Sequence, residues 1–528
     1  MLMPSDLCLM SRSLSIQPES VSRSFARPTM PQRLASVPCA RGTLGTASLL
    51  IALLFGTCGA LWAESATPNR TTPTRATEAS RECADCHAEE TAGIYQQWGS
   101  SKHYRAHVGC YECHRAEAGE PDAFDHMGYT ISIIVSPKDC ARCHENEERE
   151  FSESHHAKAG LILGSLDNFL ADVVEGDTNF FGGSALAVTG CQQCHGGVVE
   201  VVDDGALAPA GWPNSGMGRL NPDGSIGACT ACHQRHAFSA EQARRPENCG
   251  KCHLGPDHPQ MEIYEESKHG IAYRAHQDNL AMERAKWVLG EDYTAAPTCA
   301  TCHMSAVRTA DGDLIPVTHD VGLRISWNNR PPASIRPEIS DAKLGLEKMA
   351  KVTWQQRRAN MVQVCTVCHT SAYVDGFYTQ YDGLIELYNR KFAQPGIEIM
   401  NLLKDNGLIT PIAFDEPVEW TWWEIWHHEG RRARHGASMM APDYTHWHGL
   451  YEVAKHWYTD LIPAWQAIAD QASRSDVPGK AAAGAKLRTA IDALLARPEH
   501  AWFLGKLSPE EQERRRQAQE KFKQRYAN

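Results

Sequence analysis

The run CTACHQRHAFSAEQARRPENCGKCH, residues 229–253, writes Cys-x-x-Cys-His twice, at Cys229, Cys232 and His233 and again at Cys249, Cys252 and His253. Outward from it the pattern recurs at Cys83, Cys86 and His87; Cys110, Cys113 and His114; Cys140, Cys143 and His144; Cys191, Cys194 and His195; Cys299, Cys302 and His303; and Cys365, Cys368 and His369. These motifs use 16 of the chain's 19 cysteines. In this spacing two thiols add to the vinyl groups of a porphyrin, and the adjacent histidine is placed to coordinate the iron. Eight covalently bound haem c groups are therefore expected, with those eight histidines as proximal ligands.

A chain of 528 residues suggests about three or four domains on length alone. Hydrophobic residues make up only 42% of it, and turn-rich stretches separate the motifs, so the flat apolar macrocycles must supply much of the core. The expected fold is mainly α: a multihaem cytochrome c with a haem-packed N-terminal region and long C-terminal helices. The formal charge of −12 argues against nucleic acid and fits a basic or locally basic electron-transfer partner.

The other cysteines, Cys8, Cys39 and Cys58, all precede the first motif and leave no spare pair for a disulfide in the mature body. Arg33 and Arg41 precede an uncharged run from Gly42 to Ala63 with the apolar core SLLIALLFG, and Glu64 follows. This reads as a signal peptide over residues 1–63, cleaved near Ala63, with a possible true start at Met30. A retained membrane anchor is the alternative, because the run is about long enough to span a bilayer. Cytochrome c maturation outside the inner membrane makes the expected compartment periplasmic, with no retained anchor. Residues 64–80, rich in Thr, Pro and Ala, read as a disordered linker.

Residues 81–342 carry the first seven motifs at intervals too irregular for a solenoid repeat. Residues 343–475 form a helical domain with the eighth motif, and 476–528 a helical tail. In the second of these, LGLEKMAKVTWQQRRANMVQVC, FYTQYDGLIELYNRKF and LYEVAKHWYTDLIPAWQAIADQA show apolar residues at i, i+3, i+4 and i+7, the mark of long amphipathic helices. The tail has a cap at Ser508 with Glu511 three residues on. Only short stretches such as Tyr129 to Val135 alternate like sheet.

Of the 25 histidines, eight belong to the motifs. If every iron took two histidines, eight of the remainder would be distal ligands and the protein would be an electron conduit; fewer would leave an open iron. Counting leaves both open. Local Ser-x-His repeats end at His103 and His156 and surround His269. Met439 and Met440 offer a methionine ligand, with packing beneath the Trp-rich helix as the commoner use of such a pair.

The runs GPDHPQMEIYEESKHG and QRHAFSAEQARRPENCGKCH resemble the hydroxylamine oxidoreductase family of octahaem cytochromes, and the resemblance extends from Glu82 to Ala469. It implies seven bis-histidine haems that transfer electrons and a fourth, on Cys191 and Cys194 with His195 proximal, that lacks a distal protein ligand and is catalytic. It assigns the distal ligands to His103, His126, His156, His236, His269, His319 and His435, with His155 competing with His156. The family's Asp-His pair after the sixth motif is matched by Asp257 and His258; a histidine beside a carboxylate suits proton acceptance as electrons leave.

Oxidative members of that family crosslink a tyrosine from a neighbouring subunit to the catalytic porphyrin. The segment MMAPDYTHWHG offers Tyr444 for this catalytic role, although it is shorter between Pro442 and the tyrosine than in the best-known oxidative members; Tyr451 and Tyr458 match less well. In EWTWWEIWHHEGRRARHG, the guanidinium groups of Arg431, Arg432 and Arg434 suit haem propionates or carboxylates across a subunit interface, or form a solvated basic face, while His427 and His428 line a channel or an interface. The resemblance implies a homotrimer that oxidises hydroxylamine to nitric oxide or nitrite and hands electrons to an external cytochrome c. The rival readings are reduction of nitrite or hydroxylamine to ammonia, hydrazine oxidation, and a non-catalytic conduit.

Overall fold

The computed structural model describes residues 77–164, 186–203 and 205–527. The signal-peptide reading and the linker before Thr77 lie outside those residues. No described helix is long and apolar enough to cross a membrane.

Helical turns carry the attachment motifs, and the spacing explains why. Residues i, i+3 and i+4 fall on one face of a helix, so both thiols and the histidine of a motif point the same way only if the segment is helical. Side-chain caps start several of these turns. Thr77 accepts from the Ser80 N–H at 3.2 Å and opens Glu78–Glu90, so helix takes up the last three residues of the expected linker. Ser136 and Asp139 form a capping box on Pro137–Ala141, and Thr298 caps Cys299–His303.

The eighth motif begins at the end of Trp354–Cys365, which is shorter than the helix expected over 344–365. Gly345 sits at φ 70°, and a Thr353–Gln356 capping box starts the helix afresh, so the upstream apolar residues lie on a short 3-10 turn at Met349–Lys351. The apolar periodicity runs across this break because both pieces bury their apolar side chains.

The C-terminal part has a conventional side-chain core. Helices Ser371–Tyr388, Gln394–Asp405, Ile462–Ser473 and Lys480–Leu495 enclose Phe392, Ile399, Leu403, Leu461, Leu487 and Ile491. Trp457 and Trp465 meet edge-on at 5.3 Å at its centre. Among the described residues of 77–231 the buried apolar ones are mostly alanines, with Trp98, Ile134 and Phe151 among them, too little for a core without the macrocycles. A smaller cluster of Tyr264, Tyr273, Leu280, Trp287 and Tyr293 links the two regions.

Among the described residues strand is confined to a hairpin, Phe124–His126 with Tyr129–Ile131, and a small sheet of Val288–Leu289, Ala306–Arg308 and Leu314–Ile315. The tail helix Pro509–Tyr526 is capped by Ser508, which accepts from the Glu511 N–H at 3.1 Å, and it buries none of its residues.

Candidate haem sites and the Asp257 pocket

A continuous cavity of about 2060 Å³ is lined by Cys113 and by cysteines and histidines of the third to eighth motifs. Facing histidines set its geometry. An iron bonded to two imidazole nitrogens at about 2 Å, each about 1 Å from its ring centre, holds the ring centres about 6 Å apart. Such spacings occur for His87 with His126 (6.2 Å), His114 with His236 (6.3 Å), His144 with His103 (6.3 Å), His233 with His319 (6.5 Å), His253 with His156 (6.1 Å) and His369 with His269 (6.1 Å). Each pair joins a motif histidine to one from a distant part of the chain. The residues present therefore fit c-type haems.

Burial keeps many of these rings neutral, the form that ligates metal. It holds His156 down to about 3 and His233, His236 and His253 down to about 4, each helped by neighbouring cationic or imidazole groups. His103, His269, His303, His319 and His435 are lowered for the same leading reason. His303 and His435 also line the cavity.

The adjacent histidines at 155 and 156 part company. His156 faces His253, whereas His155 Nε2 bonds to buried Asp341, whose other oxygen accepts from Arg357. Met440 receives the Tyr373 hydroxyl at its sulfur, 3.7 Å away, while Tyr373 stacks on His369 at 4.7 Å; the ring that faces His369 at iron spacing is His269.

Attachment cysteines of different motifs lie near one another. Cys140 lies within hydrogen-bonding reach of Cys229, Cys249 of Cys299, and Cys194 of Cys252. Cys83 acts electrostatically on Cys110, Cys140 on Cys113, Cys249 on Cys232, and Cys365 on Cys302. The first motif thus lies near the second, the second near the third, the third near the fifth, the fifth near the sixth, the sixth near the fourth and the seventh, and the seventh near the eighth. Cys86, Cys143 and Cys368 are exposed, which brings the first, third and eighth motifs to the surface.

Beside the fourth motif, the loop after the sixth folds back through a Met261 N–H bond to the His253 carbonyl at 3.0 Å. It carries Asp257 and His258 into the cavity. His258 lies in electrostatic range of Cys194, 6.3 Å from His253 between ring centres, with its Nδ1 buried, 3.6 Å from Asp257 Oδ1 and outside any hydrogen bond. Arg431 donates from Nη1 to Asp257 Oδ2 at 2.9 Å and stands 3.0 Å from His427 Nε2. His427 in turn stacks on Trp423 at 3.8 Å.

The other arginines of that segment are tied within the chain. Arg434 is fully buried over the Tyr388 ring and donates to Ser334 and the Pro331 carbonyl, and Arg432 pairs with Glu452 at 2.8 Å. With Arg431 and Arg434 both buried, the solvated basic face is not what forms. His428 bonds Glu424 at 2.9 Å. Residues 427, 431 and 435, spaced by four, share one helix face and are the signal that ties this segment to Asp257.

Tyr444 lies on the π-helical stretch Asp443–Tyr451, outside the cavity lining of its own chain. Two glycines bring this stretch against Gly430–Ser438: a Cβ on Gly436 would meet the Thr445 nitrogen at 2.6 Å, and one on Gly449 the Ala433 Cα at 2.7 Å. The Tyr444 hydroxyl is pushed up by burial and by Glu262 and Glu266, and its N–H donates to Glu266. Trp447 and Tyr451 on the same stretch are exposed, whereas Tyr458 is buried and bonds His500 at 2.9 Å.

Comparison with known proteins gives matches to the family described as seven times multi-haem cytochrome CxxCH over residues 224–417, to cytochrome c7 and related cytochrome c over 179–254, and to cytochrome c554 and c-prime over 61–115. A probable nitrite reductase-hydroxylamine oxidoreductase fusion protein of Kuenenia stuttgartiensis is 27% identical over 372 residues, which is 62% of this chain and 38% of that protein. The chain thus spans little more than a third of the length of that curated relative. A solved hypothetical multiheme protein superposes with a TM-score of 0.63 at 28% identity, covering 75% of this chain and 97% of its own. A Kuenenia stuttgartiensis reducing HAO-like protein complex shares the fold, with a TM-score of 0.50 at 20% identity over 79% of this chain and 86% of its own. Attachment turns, facing histidines and these likenesses agree: the chain is a multihaem c-type cytochrome, similar to hydroxylamine oxidoreductase-like proteins.

Proposed function

We propose that the protein oxidises hydroxylamine to nitric oxide or nitrite at a haem held by Cys191, Cys194 and His195. Its electrons pass through seven bis-histidine haems to an external cytochrome c. The observation that carries this reading is the pocket of Asp257 and His258 beside Cys194, braced by Arg431. The haem there would supply a coordination position for the substrate nitrogen and the first electron acceptor.

Conversion of hydroxylamine to nitric oxide releases three electrons and three protons; conversion to nitrite with one water releases four electrons and five protons. His258 accepts protons from the bound substrate, and Asp257, 3.6 Å from its Nδ1, stabilises the resulting imidazolium. Arg431 fixes the carboxylate by its bond to Oδ2. His126, His236, His103, His319, His156 and His269 would help to hold the haems of the first, second, third, fifth, sixth and eighth motifs, and His435 that of the seventh. Electrons leave the fourth site through the sixth, and the acidic chain receives a basic cytochrome partner at a surface motif in the periplasm.

In this reading the working form is a homotrimer in which Tyr444 of a neighbouring copy would be the residue linked to the catalytic porphyrin. Reduction of nitrite or hydroxylamine to ammonia is the second reading, favoured by the words reductase and reducing in the names of two similar proteins. Haem-stained denaturing gels and assays in both directions separate them. Covalent oligomers that vanish in Tyr444→Phe, with faster hydroxylamine oxidation than reduction, are the expected result. Monomers only, with dominant ammonia formation, overturn the oxidative direction.

A further inference from the structure

We infer that Asp415, Glu416 and Glu419 form a calcium site at the head of the helix that serves the Asp257 pocket. Each offers a carboxylate oxygen, and these oxygens lie within 4.8 Å of one another. Two oxygens bound to one calcium ion at about 2.4 Å stand at most about 4.8 Å apart, so a single ion spans the group.

The cluster is not an ordinary solvated acidic patch. Glu419 is only 7% exposed, and its Oε2 is buried without a hydrogen-bond partner; Glu416 Oε2 is in the same condition. A buried carboxylate oxygen left unpaired is costly, and it points to a ligand that completes it. The other oxygens are already fixed: Thr410 donates from its N–H to Glu416 Oε1 at 2.8 Å and from its hydroxyl to Asp415 Oδ2 at 2.7 Å. Asp415 and Glu416 also come within hydrogen-bonding reach of each other, which two ionised carboxylates tolerate only with a proton or a cation between them.

Lys404 is the nearby cation, with Nζ 3.7 Å from Glu419 Oε1, and it is 57% exposed. One screened ammonium against three carboxylates leaves a local charge of about −2, which matches a divalent ion. All-oxygen ligands select a hard metal. Carboxylates drawn from a loop and a helix turn, with no rigid octahedral frame, favour calcium over magnesium, and water would fill the remaining positions.

The site lies where it can stiffen the pocket. Helix Pro417–Trp423 continues through Glu424–Glu429 into Gly430–Ser438, and His427 follows Glu419 by eight residues, roughly 12 Å along the axis.

The test uses the haem-loaded protein, freed of metal by chelation and dialysed against calcium chloride, as wild type, Glu419→Gln and Asp415→Asn. Wild type is expected to retain one calcium ion per chain more than either variant, and added calcium chloride to raise the melting temperature of wild type alone. Equal calcium retention in all three proteins overturns the site, as does equal filling by magnesium chloride at the same free concentration. Haem content and visible spectrum report the fold of each variant. Should Glu419→Gln fail to accumulate, Asp415→Asn, at an exposed position, decides the question. The readout is calcium stoichiometry, so it stands apart from the proposed nitrogen chemistry.

Discussion

Arg431 Nη1 lies 2.9 Å from Asp257 Oδ2, a bond between residues 174 positions apart that joins the C-terminal helix to the loop behind the sixth motif. It sets the carboxylate's orientation towards His258. Replacing Arg431 with Met is expected to slow hydroxylamine turnover by about tenfold or more, since small misplacements of a reacting group are costly. Arg431→Lys keeps the charge but loses the planar fork and should recover only part of the rate. A positioning role also predicts a shifted pH–rate profile in Arg431→Met; an unchanged profile and rate would sink it.

His258→Ala removes the proposed proton acceptor and touches no motif. Turnover should fall by about 10²–10⁴-fold, the usual range for a general base, while haem content is kept. Steady-state rates with hydroxylamine, set beside a haem stain, check this; wild-type turnover would reassign the proton acceptor.

The split between two neighbouring histidines gives a spectroscopic prediction. His156→Ala should convert one low-spin haem to high spin, because His156 faces His253. His155→Ala should leave the low-spin count unchanged and lower stability instead, because it strips a partner from buried Asp341. Electron paramagnetic resonance spin counts on both variants distinguish the two, and the reverse pattern would exchange the roles.

Acid stability should bear the mark of His500, which is buried against the Tyr458 hydroxyl and held down to about 4 by burial, with Lys391 adding to the effect. Its folded value is depressed below the unfolded one near 6.5, so its contribution is complete above about pH 6.5 and is lost as pH falls through about 4. The full effect is on the order of 3 kcal/mol. Melting temperature should therefore decline more steeply over that window in wild type than in His500→Phe, which starts lower because Tyr458 loses its partner; parallel slopes would exclude His500 as the source.

The attachment motifs were legible because their chemistry is confined to five residues and their spacing suits a helical turn. The tail cap at Ser508 was legible for the same local reason, and it forms. The helix expected over 344–365 overruns its true start because the apolar period continues upstream of the Thr353–Gln356 capping box. Distant partners were not legible: Asp341, 186 residues from His155, has no sequence signature. The link from Arg431 to Asp257 was half visible, since 427, 431 and 435 fall on one helical stripe, but nothing local named the carboxylate they meet.

Cys194 lies beside Cys252, so the fourth site adjoins the sixth, which also neighbours the fifth and the seventh. On the proposed electron path the molecule then has one inlet and two outlets of unequal length, four stations through the fifth, third, second and first motifs and two through the seventh and eighth. The sixth site becomes a switchyard. Its potential, relative to its neighbours on either side, would set how electrons divide between the two directions.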